Sequence, residues 1–88
     1  AWYGMGLAHA RLGQHEQAVT ALEKVVKLQP MSGEGFYQLG MAYHHANRPD
    51  DVTGIVKRLV AFEPKRARKL VQDAGRVDLM KFIPELPF

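Results

Sequence analysis

The sequence predicts an all-α fold: two antiparallel helix–turn–helix repeats of an α-solenoid, followed by a C-terminal capping helix and an extended tail. Three observations carry that expectation. The chain superimposes on itself when shifted by 34 residues. Its large apolar residues pair at i,i+4 spacing on helical faces. Its glycine, asparagine and proline residues fall where helices of that period must stop and restart.

Under the shift, Trp2 falls on Phe36, Tyr3 on Tyr37, Met5 on Leu39, Gly6 on Gly40 and Ala8 on Ala42. Further on, Val26 falls on Val60, Leu28 on Phe62 and Pro30 on Pro64. A fixed period in the range of roughly 20–50 residues marks a repeat architecture. The first helix is expected over 1–12, with Met5 and His9 one turn apart and Trp2 a turn earlier, all facing a partner helix. Gly6 lies on the same face, where a missing side chain lets the second helix come close. Gly13 supplies a left-handed stop. A second helix follows over 15–28 and ends before Pro30, because a proline pushes the preceding residue out of helical geometry. Ser32 is a helix N-cap for a third helix over 33–46, with Glu34 in its first turn. Asn47 takes the place of Gly13. Pro49 opens the fourth helix, expected over 50–62, with Asp50 and Asp51 in its first turn. A fifth helix over 65–74 and a short helical turn at 77–82 complete the map.

The two units read Trp2-x-x-Met5-Gly6-x-x-His9 … Ala18-x-x-x-Leu22-x-x-Val25 … Pro30 and Phe36-x-x-Leu39-Gly40-x-x-Tyr43 … Val52-x-x-x-Val56-x-x-Leu59 … Pro64. This pattern resembles the tetratricopeptide repeat, a 34-residue helix–turn–helix unit. The resemblance divides one domain into repeat one at 1–32, repeat two at 33–66, and a capping helix with tail at 67–88. It implies a non-enzymatic protein-interaction module, a scaffold or adaptor whose concave groove takes up a peptide or helical segment. It also places the groove residues on one stripe of the first helix of each unit: Tyr3, Leu7 and Arg11, then Tyr37, Gln38, Met41, His44 and His45. Tyrosine and methionine there give contact area that tolerates varied shapes, and Arg11, His44 and His45 rim one end. Some members of the family grip a chaperone's terminal carboxylate with lysine, arginine and asparagine. Tyr3, Leu7 and Gln38 stand at the corresponding positions here, and only Arg68 offers a charge, which argues against that ligand.

The 88 residues are 47% hydrophobic and 24% charged, which suits a globular chain and excludes a disordered or fibrous one. No apolar run reaches the roughly 18–20 residues needed to span a bilayer. The start at Ala1 reads as a piece cut from a longer protein, and the compartment stays open between cytoplasm and periplasm. With no cysteine there is no disulfide scaffold, thiolate zinc site or cysteine nucleophile. His44 and His45 are adjacent and point about 100° apart on a helix, and no His-x-x-x-His pair occurs, so neither a metal nor any other cofactor is expected. No catalytic set and no phosphate-binding loop is found.

The net charge of +3 is uneven. Residues 1–44 hold three basic and three acidic side chains, and residues 45–88 hold nine and six. Lys57, Arg58, Lys65, Arg66, Arg68 and Lys69 make a basic patch. It supports an alternative function, binding of nucleic acid or another acidic surface, but no aromatic residue lies among those charges to stack a base. A third alternative is an accessory domain of a larger enzyme. The tail from Leu79 to Phe88 is apolar and, with Pro84 and Pro87, barred from regular helix. It is expected either to fold back near Leu70, Val71 and Ala74 or to enter the groove of a second molecule and form a homodimer.

Overall fold

A computed structural model of the chain describes residues 2–83, with side chains described from Gly4 onward. It contains five α-helices, α1 (Trp2–Arg11), α2 (His15–Leu28), α3 (Gly33–His45), α4 (Pro49–Phe62) and α5 (Pro64–Ala74), and a short 3-10 helix at Val77–Phe82. No strand occurs among the described residues. None of the helices is long and apolar enough to cross a membrane.

The 34-residue period is written into the backbone as well as the side chains. Gly13 and Asn47, which the shift superimposes, both take positive φ, at 77° and 60°. The following residues, Gln14 and Arg48, donate their N–H groups back to His9 O at 2.8 Å and Tyr43 O at 2.9 Å. These bonds satisfy carbonyls that the ends of α1 and α3 leave open. Gln29 and Glu63, each before a proline, share one non-helical backbone conformation, with φ −132° and −141° and ψ 75° and 72°, and end α2 and α4. Pro64 does more than stop α4. It begins α5 at its first position, where its missing N–H has no role to lose. Ser32 caps α3, its Oγ accepting from Gly35 N–H at 3.0 Å.

Consecutive helices pack on one another, and α1 touches α3 while α3 touches α5. Among the described residues α2 and α4 do not touch. The first helices of the units therefore lie in one layer of the stack, with α5, and α2 and α4 lie in the other. The core runs through both layers as one cluster that includes Leu22, Phe36, Leu39, Val56, Leu59 and Leu70. Val52 and Leu59 are fully enclosed in it. Gly6 faces Leu22 of α2, and a Cβ added there would lie 2.6 Å from Leu22 Cγ. Gly40 faces Leu70 of α5 as well as Ile55 of α4, so its close approach is to two helices.

One packing expectation is corrected. Met5 does not face into the core; it is 47% exposed, because only α2 and α3 pack on α1 in the described chain. His9 is half-buried, and its Nδ1 meets Gln14 Oε1 at 2.6 Å. The side chain of Trp2 lies outside the described residues.

The 3-10 helix covers α4 and α5. Leu79 is buried, and Met80, Phe82 and Ile83 pack against the core beside it. This part of the tail lies against its own chain, near the α5 residues expected to receive it. Pro84–Phe88, which carried the expectation of an extended path, lie outside the described residues.

Candidate functional site

Three helices build a groove of about 440 Å³. Leu7, Ala10 and Arg11 come from α1, His15 from α2, and Tyr37, Gln38, Met41 and His45 from α3. The register explains the meeting. Tyr37, Met41 and His45 stand one turn apart on α3, and Leu7 and Arg11 hold the Met41 and His45 positions of the first unit. Contact between α1 and α3 then lays the two stripes side by side.

The groove is polarised along its length. At one end Tyr37 donates its hydroxyl to Asp73 of α5, and Lys69 reaches the same carboxylate at 3.1 Å. Burial, then donation to Asp73, pushes the Tyr37 hydroxyl up to about 12. The same hydrogen bond, with Lys69, holds the Asp73 carboxyl below its usual range. Gln38 donates to Glu34 at 3.2 Å. Leu7, Ala10 and Met41 supply the groove's apolar lining. At the far end the His15 and His45 rings stack at 5.3 Å with planes 24° apart. Burial lowers the His45 pKa, and His44 and His15 lower it further.

Of the stripe residues expected at a groove, Leu7, Arg11, Tyr37, Gln38, Met41 and His45 line this one. His44 turns aside. Its ring lies 5.2 Å from that of His45, but it lines a different hollow of about 330 Å³ with Asn47, Arg48, Pro49, Val52 and Arg76. Adjacent positions on a helix diverge by about 100°, which is the physical reason. The side chain of Tyr3 lies outside the described residues. His15 was missed by sequence reasoning: it stands at the start of α2, apart from either stripe, and only the α1–α2 turn brings it to His45.

The residues of the basic patch fall on two helices, α4 and α5, and most are engaged. Arg66 donates to Glu34 and, at 2.9 Å, to Glu63, tying α5 to α3. Lys57 sits over the Phe82 ring at 4.7 Å and Arg58 over Phe36 at 5.4 Å. Lys69 serves Asp73. Lys65, Arg66 and Lys69 do share a hollow of about 570 Å³ at the start of α5. Arg68 is exposed on α5. Arg48 makes a second three-charge bridge between units, to Glu16 at 3.3 Å and Asp51 at 2.7 Å. No group of three histidine or acidic side chains that could hold a metal occurs among the described residues.

Comparison with known proteins agrees with this architecture. Residues 1–32 match the sequence profile of the tetratricopeptide repeat. The chain is 35% identical over 63 residues to the human protein named Superkiller complex protein 3, a match covering 68% of this chain and 4% of that protein. The chain thus spans a small fraction of the length of that relative. No solved structure matches it.

Proposed function

The chain belongs to the tetratricopeptide repeat family, and on that premise we propose that it is a scaffold or adaptor module that takes a peptide or helical segment of another protein into the groove between α1 and α3. Repeats of this family are generally protein-interaction modules. One observation carries the finer reading. Leu7, Arg11, Tyr37, Gln38, Met41 and His45, set apart by the repeat register, line a single groove on the layer of the first helices. The described part of the tail does not cover it, since Leu79–Ile83 pack over α4 and α5. A half-buried apolar strip flanked by polar groups at both ends is the usual form of a recognition surface.

The module needs no chemistry of its own. Its work is to hold a partner, and the domain acts as one stack of repeat one (1–32), repeat two (33–66) and a cap (67–88). The second molecule's tail is a weaker occupant, because residues 79–83 are already engaged within the chain. The acidic-surface alternative draws on Lys65 and Arg68, but its other cations are engaged in ion pairs or ring contacts.

The test is Leu7→Ala with Met41→Ala. Both side chains are only half-buried, so the fold should survive while partner binding drops at least tenfold. Partners are recovered with the intact chain and their affinity re-measured by calorimetry with the double variant, its melting curve recorded alongside. Unchanged affinity in a folded double variant places the site elsewhere.

A further inference from the structure

We infer that the histidine end of this groove selects segments with an acidic side chain beside apolar ones, and grips them more tightly as the pH falls through the histidine range; the inference rests on the groove reading above. The first observation is charge. Arg11, His15 and His45 line that end, and among the described residues no carboxylate lines the groove itself. Arg11 makes no hydrogen bond or ion pair among the described residues, whereas Arg48, Arg66 and Arg76 are each paired. The groove therefore holds a guanidinium with no acceptor among the described residues.

The second observation is the imidazole stack. His15 Nδ1 is buried without a hydrogen-bond partner. Buried polar atoms of this kind are uncommon and call for a partner. A ligand carboxylate between Arg11 and the stack supplies one as the rings part. The groups around His45 come from every side: Arg11 on α1, His15 on α2 and His44 on its own helix. The carboxylate next to His15 in the chain, Glu16, is held by Arg48. Nothing within the stack therefore favours the charged imidazole, and burial works against it.

The linkage follows. An acidic ligand favours the charged ring, so the bound pKa lies above the free one. Affinity gains are then complete below the free value and lost as the pH rises through the bound value. A rise of one pKa unit gives about tenfold. The C-terminal ends of α1 and α3 lie here too, and their partial negative charge helps the imidazolium but not the carboxylate. The attraction must come from the side chains, which makes it titratable. Spacing adds a sequence rule. Met41 and His45 stand one turn apart, about 5–6 Å, which is close to the span of two residues of extended chain. An internal acidic side chain two positions from a Leu or Met fits, with its stem carrying the carboxylate past the strip to half-buried His15 and exposed His45.

The experiment is selection of random dodecapeptides, displayed internally so that no chain end is offered, on the intact 88-residue chain at about pH 5.5 and about pH 7.5. Peptide carboxylates are ionised at both. The expected winners at the lower pH carry Asp or Glu near Leu, Met or an aromatic residue. Synthesised, they bind about tenfold tighter at the lower pH. Arg11→Gln weakens them at both pH values, and His45→Gln, or Glu→Gln in the peptide, flattens the pH dependence. Three outcomes overturn the inference and leave the groove reading standing. Winners that need Leu7 and Met41 carry no acid, or bind equally at both pH values. Acidic winners ignore both Arg11→Gln and His45→Gln. Enrichment appears only in a parallel library with free C-termini, which moves the carboxylate to a chain end. Winners indifferent to Leu7→Ala with Met41→Ala remove the groove reading itself.

Discussion

Met5 and Leu39 hold the same place in the 34-residue register, yet one is 47% exposed and the other 2%. The first helix pair and the second are built from one pattern. They differ in neighbours: among the described residues α3 has α1, α2, α4 and α5 against it, and α1 has only α2 and α3. In a solenoid, stability is roughly a sum over units and the interfaces between them. A signature residue therefore contributes what its stacked neighbours allow, and the same letter in two copies need not carry the same energy.

The sharpest way to break that comparison is truncation at the paired positions. Leu39→Ala should cost about 3–4 kcal/mol through lost transfer energy and a cavity in the shared core. Met5→Ala should cost less than about 1 kcal/mol, as expected for an exposed site. Urea denaturation of both variants checks this, and equal costs would mean that α1 is covered in solution.

The glycines sharpen it next. Gly40→Leu meets Leu70 at 2.5 Å and Ile55 at 3.2 Å, from two helices, and should cost about 3 kcal/mol. Gly6→Leu meets Leu22 alone, at 2.6 Å, and should cost about 2 kcal/mol as α2 shifts outward. If Gly6→Leu proved the more damaging of the two in the same denaturant series, the neighbour argument would be reversed.

A third probe uses the link between the second pair and α5. Tyr37→Phe removes the donor to Asp73 and should lower Tm by about 2–4 °C near neutral pH. The folded Asp73 pKa is depressed, so its contribution is present above the unfolded value, about 3.9, and lost as pH falls through the folded one. The wild type and variant should thus converge in acid, below about pH 4. Thermal melts from neutral to about pH 3 read this out, and a gap that persists in acid assigns the effect to packing.

The smallest effects come from glycines with open space around them. Gly54→Ala, in the exposed middle of α4, should stabilise by about 1 kcal/mol. Gly4→Ala, in the first turns of α1, should gain less, since a helix end frays. Calorimetric melts of the two single variants distinguish them.

The chain by itself determined the helices, their order and their ends. Gly13, Asn47, Pro49 and Pro64 act on their own backbone within a residue or two, and such local effects are written where they operate. It also determined which side chains share a stripe, because helical periodicity fixes direction once a helix is given. That made most of the groove legible: Leu7 and Arg11 on one stripe, Tyr37, Met41 and His45 on the other. Tertiary structure decided the rest. His15 reaches His45 only through the α1–α2 turn, His44 is turned into another hollow, and Arg48–Glu16 and Arg66–Glu34 pair across 32 residues of chain with no local spacing to announce them. It also left Met5 exposed while enclosing Leu39. Burial and charge pairing depend on which helices stack against which, and that is a property of the assembled layers that no single helix carries in its sequence.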